Sequence, residues 1–303
     1  MIFSLNKSVN QYVNFLNSSN VEIYIKREDA IHSFVSGNKY RKLKYNLLEA
    51  KQLNKNTLLT FGGAYSNHIA AVASAGKEFR FKTIGIIRGE ELTSKIESNP
   101  TLKFAQQNGM EFKFISREEY KLKTLESSIK QLEVEFDDFY LIPEGGTNSL
   151  AIKGCEEILT DVDFDYDYIC CSVGTGGTIS GLINSSKLNQ KIIGFPALKG
   201  DFLQEEISKF ATKSNWELVT DYNFGGYAKI NEKLISFINQ FKKENNIPLD
   251  PVYAGKMMYG IFDLVNKGHF PKGSKILAIH TGGLQGIEGM NKTLKQKQLP
   301  LIR

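Results

Sequence analysis

Cysteine is scarce in this 303-residue chain: Cys155, Cys170 and Cys171 are the whole complement. An odd count, with two neighbours inside an apolar run, is not a disulfide framework. No Cys-x-x-Cys spacing occurs, and His32, His269 and His280 show no ligand spacing with one another, so no metal site is expected. Arginine is also scarce, supplying 6 of the 38 basic residues. A surface rich in lysine and poor in arginine is not one built to read phosphates. The net charge of +5 is spread thinly, without a run of about six like charges, which excludes a nucleic-acid arm and a basic membrane-surface helix. No stretch approaches the roughly 18 apolar residues of a membrane span. The opening MIFSLNKSVNQYV lacks the basic start and long apolar run of a signal peptide. A cytoplasmic enzyme is therefore expected, acting on a small molecule and partnering neither nucleic acid nor membrane.

What is present is an alternation of short apolar runs with helical patterns. The runs start at Val21, Thr57, Lys82, Met110, Asp138, Asp167, Lys191 and Lys275, and most end in glycine. Helical patterns lie between them, as in LKYNLLEAKQL after Lys42, NHIAAVASAGKEF after Ser66 and INEKLISFINQFKKE after Lys229. Such alternation implies an α/β fold with open, mostly parallel, twisted sheets flanked by helices. Strands of residues 57–115 are expected to form one cluster, and those from about 138 onward a second, with a cleft between the sheets. The expected domains are a larger one of residues 1–45 and 146–303 and a smaller one of residues 46–145. No internal repeat of about 20–50 residues is present. Cys170 and Cys171 read as small buried hydrophobes, and Trp216 has no evident role.

Ligands of open α/β sheets bind at the carboxyl ends of strands, and four such ends carry an unusual load here. In SVGTGGTISG (172–181) an apolar strand runs through Gly174, Thr175, Gly176, Gly177 and Thr178 into a helix. Glycines let backbone N–H groups approach an anion, and the helix N-terminus favours it. Ile179 stands where a dinucleotide fingerprint needs its last glycine, so a single phosphate fits better than a pyrophosphate. The bland alternative is a tight turn that binds nothing. Ser66, Asn67 and His68 open a helix after Gly62 and Gly63. Ser66 is a good helix cap, and the same group reads equally well as a cradle for an amino-acid carboxylate. In SGNKYRK (36–42), Lys39 sits beside Gly37 and Asn38 just before a helix; taken alone, it is a solvated surface residue.

Together these segments resemble the pyridoxal-phosphate enzymes that contain 1-aminocyclopropane-1-carboxylate deaminase and D-cysteine desulfhydrase, within the tryptophan-synthase-β-like, or fold type II, group. The resemblance runs from about Ile25 to Gly289. It is carried by IKRED (25–29), SGNKYRKLKY (36–45), FGGAYSNH (61–68), IPEGGTN (142–148), SVGTGGTISG (172–181), LDPVYAGKM (249–257) and HTGG (280–283). It implies that pyridoxal 5'-phosphate lies in the cleft between the two domains, and that Lys39 carries it as a Schiff base. Partial burial would keep that amine neutral and reactive. By the same resemblance Gly174, Thr175, Gly176, Gly177 and Thr178 hold the phosphate, and Asn67 donates to the phenolic oxygen. Ser66 and His68 face the substrate carboxylate. A glutamine is usual in place of His68, which would titrate near neutrality. Thr281 lies near the pyridine nitrogen; a neutral hydroxyl there makes the ring a weaker electron sink, which favours elimination.

Tyr253 matches a family active-site tyrosine that holds a carboxylate or exchanges a proton. A second family tyrosine is missing, since Ala278 and Ile279 precede HTGG. That loss weakens cyclopropane ring opening and leaves a small amino acid as the expected substrate: D-cysteine, cleaved to pyruvate, ammonia and sulfide, or a related small D-amino acid before others. The alternatives are the cyclopropane deaminase, another fold type II dehydratase or β-replacement enzyme, and a cofactor-binding protein with little catalysis. The family also suggests a homodimer.

Overall fold

Apolar runs that end in glycine form the centres of two sheets in the computed structural model, which describes residues 5–35 and 37–303; the opening MIFS and Ser36 of the SGNKYRK motif lie outside it. The strands are β1 (Asn10–Tyr12), β2 (Glu22–Lys26), β3 (Thr57–Gly62), β4 (Lys82–Arg88), β5 (Met110–Ile115), β6 (Tyr140–Ile142), β7 (Tyr168–Val173), β8 (Lys191–Pro196), β9 (Trp216–Leu218) and β10 (Lys275–Ile279). The helices are α1 (Asn38–Gln52), α2 (Asn67–Phe79), α3 (Pro100–Gln107), α4 (Arg117–Lys121), α5 (Glu126–Phe136), α6 (Ser149–Glu156), α7 (Gly177–Ser185), α8 (Phe202–Ser208), α9 (Glu232–Asn245), α10 (Ala254–Asn266) and α11 (Gly286–Gln296).

The larger sheet has the order β1-β2-β10-β7-β8-β9 and the smaller one β5-β4-β3-β6. All pairs are parallel except β1 with β2. This is the mostly parallel α/β architecture that the alternation implies. The central strand β7 reads YICCSV because helices cover both of its faces; Ile169, Cys170 and Cys171 are fully buried. An aliphatic side chain in such a place contributes about 1.5–3 kcal/mol. Burial also pushes all three thiols up, so the cysteines serve as apolar filling.

Three expectations change. First, β6 does not join the larger sheet, although it lies beyond residue 138. It pairs with β3, Leu58 opposite Tyr140 and Thr60 opposite Ile142, and the Thr60 hydroxyl donates to the Ile142 carbonyl at 2.8 Å. Second, α1 starts at Asn38 rather than after Lys42, so Lys39 lies in its first turn and not in a preceding loop. The turn is possible because Gly37 takes φ 61° and packs against the end of β10. A Cβ there would sit 2.0 Å from the Thr281 carbonyl oxygen, which accepts the Asn38 N–H. Third, Trp216 does have a place: it begins the edge strand β9 and packs, partly buried, against the core under β7 and β8.

Buried charge braces the start of α1. Arg41 grips the fully buried Glu28 carboxylate with two nitrogens, at 2.7 and 2.8 Å, and donates a third bond to the Glu157 carbonyl at 3.1 Å. The Glu28 carbonyl in turn accepts the Gly37 N–H at 3.1 Å. Such a bidentate pair fixes orientation as well as charge. No helix among the described residues is long and apolar enough to cross a membrane.

Candidate active site

The carboxyl ends of β3, β7 and β10 and the first turn of α1 enclose one pocket of about 460 Å3. Of the residues singled out by sequence, Lys39, Ser66, Asn67, His68, Gly174, Thr175, Gly176, Thr178, Tyr253 and Thr281 line it. Gly177 is not among the lining residues; it opens α7 immediately behind them.

Lys39 opens onto the pocket, yet protein surrounds its amine. Desolvation, reinforced by the neighbouring Lys42, pulls its pKa down from 10.5 to about 7. Its Nζ donates to the Asn38 side-chain oxygen at 3.3 Å. Asn38 in turn donates to the Thr178 hydroxyl at 2.8 Å, which ties the lysine turn to the glycine–threonine loop.

Lys42 is a site residue that the sequence reading missed. It lies three positions after Lys39 on α1, hence on the same face, and this spacing was the available signal. Its buried Nζ donates to the Gly145 carbonyl at 3.1 Å and the Thr147 hydroxyl at 3.0 Å. Thr147 and Thr175 share a hydrogen bond of 2.6 Å. A Cβ on Gly177 would lie 2.9 Å from the Thr147 hydroxyl and 3.1 Å from the Lys42 amine. The Lys42 amine, the hydroxyls of Thr175 and Thr178 and the glycine-rich N-terminus of α7 thus lie at one end of the pocket, with Thr147 behind them, the donor set that an anion requires.

Beyond the end of β3, Ser66 caps α2 by accepting the Ile69 N–H at 3.3 Å. The Asn67 amide is held by Gln285, which donates to its oxygen at 3.1 Å and leaves the NH2 group free to donate. His68 differs from expectation. Burial, then the charges of Lys39 and Lys42, push its pKa well below 6.5, so it does not titrate near neutrality. Its Nε2 is committed inward, 2.8 Å from the Thr60 hydroxyl. Thr281 shares a 3.1 Å hydrogen bond with the Ser172 hydroxyl.

Tyr253 stands at the start of α10, whose first N–H groups are collected by Asp250. That carboxylate accepts from Val252, Tyr253 and Ala254 at 2.9, 2.9 and 2.8 Å. Ala278 and Ile279 are sealed in β10 and offer no phenol. The pocket nevertheless contains two other tyrosines, the exposed Tyr65 beside Ser66 and Tyr227 from the loop before α9, and it is Tyr227 that meets Tyr253. The two rings meet edge to face with centroids 6.3 Å apart, and their hydroxyl groups interact. Burial raises both pKa values, so both phenols keep their protons. Nothing in the local pattern around Tyr227 marks it in the sequence.

Residues 10–282 match the family described as pyridoxal-phosphate dependent enzyme. A bifunctional D-cysteine desulfhydrase/1-aminocyclopropane-1-carboxylate deaminase of Arabidopsis thaliana mitochondria is 33% identical, over 88% of this chain and 73% of its own. The 1-aminocyclopropane-1-carboxylate deaminase of Bradyrhizobium diazoefficiens is 30% identical, over 89% of each chain. The crystal structure of an ACC deaminase homologue superposes with a TM-score of 0.83 at 29% identity, covering 96% of this chain and 93% of that one.

Proposed function

The chain belongs to the family of pyridoxal-phosphate dependent enzymes and is a lyase of that family; from that premise we propose that its substrate is a small amino acid, D-cysteine first, which it converts with water into pyruvate, ammonia and sulfide. The observation that carries this reading is Lys39, which opens onto a pocket with an anion-binding end and whose pKa burial pulls down to about 7.

The pocket fits pyridoxal 5'-phosphate. Its phosphate would take the loop Gly174–Gly177, the hydroxyls of Thr175 and Thr178, and Lys42, where a side chain on Gly177 would fill the cradle. Lys39 would hold it covalently, Asn67 would donate to its phenolic oxygen, and Thr281 would face its ring nitrogen. When bound, the cofactor supplies an electron-withdrawing ring that accepts the electron pair left at Cα.

The remaining work falls to side chains. The N-terminus of α2, with Ser66, holds the substrate carboxylate and sets the Cα–H bond before the amine of Lys39. Lys39 Nζ, which the substrate's own amine would displace from the cofactor, is then the base placed to remove that proton, a role that needs a neutral amine near operating pH. Tyr253 keeps its phenolic proton and can give it to the departing sulfur. His68, neutral and bound to Thr60, acts as wall rather than acid.

The Tyr253–Tyr227 pair favours a second reading, hydrolytic ring opening of 1-aminocyclopropane-1-carboxylate to 2-oxobutanoate and ammonia, because two phenols serve a step that breaks a carbon–carbon bond. The homodimer, the cytoplasmic location and the division at residues 46–145 belong to the same proposal; sedimentation equilibrium tests the first.

The direct test is an absorbance spectrum of the purified protein before and after D-cysteine, with pyruvate assayed alongside. A near-visible band that shifts and recovers while pyruvate accumulates is expected. Lys39→Ala should lower turnover by about a thousandfold or more. Undiminished turnover in that variant refutes the assignment of Lys39, and a band that D-cysteine leaves unchanged removes D-cysteine as substrate.

A further inference from the structure

The first turn of α10 carries two residues that face different tasks, Tyr253 at its start and Lys256 three positions on. Lys256 is only 2% exposed. Its Nζ forms no ion pair among the described residues, and it donates instead to the carbonyls of Asn223 and Gly226, each at 2.8 Å. Burying an ammonium is costly unless its donors are satisfied. A methionine of the same length would fill the space without that cost, so the charge must serve the loop that it binds.

That loop joins β9 to α9 and is wound unusually tightly. Phe224, Gly225, Gly226 and Ala228 take φ of 55°, 98°, 113° and 56°, all in the left-handed region. Two of the four are not glycine, so tertiary contacts must hold them there. On one side Phe224 packs edge to face on Tyr259, with centroids 5.1 Å apart. On the other side, only one peptide from the Gly226 carbonyl, comes Tyr227, which is 44% exposed and lines the pocket against Tyr253.

We propose that Lys256 is a positioning residue: its ammonium pins the carbonyls of Asn223 and Gly226 and thereby holds Tyr227 over the pocket mouth against Tyr253, so that one turn of α10 sets both phenols. Tyr227 is then a substrate-facing residue supplied by a loop. The pinning stands on geometry alone, and its effect on turnover rests on the function proposed above.

Limited trypsin digestion of the holoenzyme reads the pinning directly, because the exposed Lys229 lies three residues beyond Gly226. Lys256→Met should speed cleavage after Lys229 by about tenfold or more, as expected for loss of hydrogen bonds from a charged donor. It should also raise KM more than it lowers kcat, to the level of Tyr227→Ala. The double variant should be no worse than the poorer single, because both remove the same contact. Lys256→Arg, which keeps the charge, should recover part of the loss. Unchanged cleavage, or losses that multiply in the double variant, overturn the proposal.

If Lys256→Met does not fold, Gly226→Ala answers the same question. It leaves the buried lysine intact and disturbs only the φ of 113° beside Tyr227. Faster cleavage and a raised KM are again expected, and no change in either overturns the proposal. Faster cleavage with unaltered turnover also overturns it, as a statement about Tyr227, and leaves Lys39 untouched. A wild-type enzyme that turns over no amino acid refutes the proposed function, while the cleavage result still reports on Lys256.

Discussion

Gly37→Ala is the smallest change that should separate the position of Lys39 from the stability of the fold. Two effects add at this site. The first is conformational: φ of 61° with ψ of −138° is a region left almost entirely to glycine, and it costs a residue with a Cβ about 1–3 kcal/mol. The second is steric. The new methyl group would lie 2.0 Å from the Thr281 carbonyl oxygen and 2.6 Å from the Gly282 nitrogen, both backbone atoms that cannot swing aside. Contacts under 3.0 Å are essentially never made by a Cβ, so α1 and the end of β10 must separate by about 1 Å. Lys39 lies two residues along the chain from the point of separation, and Thr281 is on its other side.

A misplacement of about 1 Å in a positioned catalytic group costs roughly a hundredfold in rate. Gly37→Ala should therefore fold, melt several degrees below the wild type because the two costs add, and lose about two orders of magnitude in kcat/KM. Gly109→Ala is the control: its φ is 86°, but nothing lies within 4 Å of its Cβ. It should show the conformational cost alone, about 1–2 kcal/mol, with normal turnover. Thermal melts and steady-state kinetics on the two variants decide the matter. If Gly37→Ala keeps activity within a factor of about two of Gly109→Ala, the close approach of α1 to β10 does not position the lysine.

Two further outcomes follow from buried charge. Arg41→Met strands the Glu28 carboxylate, which is fully buried, and should destabilise the fold by about 3–5 kcal/mol. In a chain of this size that lowers the melting temperature by roughly 6–12 °C; adding Glu28→Gln should restore much of it, and a lone Arg41→Met that melts like the wild type would contradict the argument. With the cofactor stripped, the Lys39 amine should be acylated half-maximally near pH 7, far below surface lysines, and Lys39→Gln should lose that reactive class. Its folded pKa is depressed from 10.5, so between about pH 7 and 10.5 the unfolded chain holds a proton that the folded one has released. The stability contribution of Lys39 thus becomes more favourable as pH rises across that window, and stripped wild type should gain stability over Lys39→Gln there in urea titrations.

The central strands were legible because a strand buried on both faces is a continuous apolar run, as in YICCSV or TIGII. The edge strands β1 and β9 were not. They are three residues each, NQY and WEL, and gain their strand character from a neighbour's backbone rather than from their own pattern. The start of α1 was hidden because Lys39, Arg41 and Lys42 look like a solvated run. The partners of Lys42, Gly145 and Thr147, lie far off in sequence, and Glu28, the partner of Arg41, lies on the other side of the Gly37 turn, so spacing alone cannot show that these charges are buried. The pairing of β6 with β3 is a similar case, since a parallel partner is chosen by tertiary packing. Lys39 gained its meaning only from the company of the other motifs, and Tyr227, in a loop without period, had no such company.

The position of β10 has a consequence for how the chain is made. The smaller sheet is complete once residue 142 has emerged, whereas β10, residues 275–279, lies between β2 and β7 in the larger one. During synthesis, therefore, two unfinished edges wait for a strand that arrives near the very end. The turn at Gly37 cannot close until Thr281 is present to receive it, so a nascent chain has a folded small sheet well before it has a pocket. Exposed parallel edges are also where association with other chains begins. Truncations that remove β10 should accordingly be more than inactive: they should leave β2 and β7 each without its partner and accumulate as aggregates.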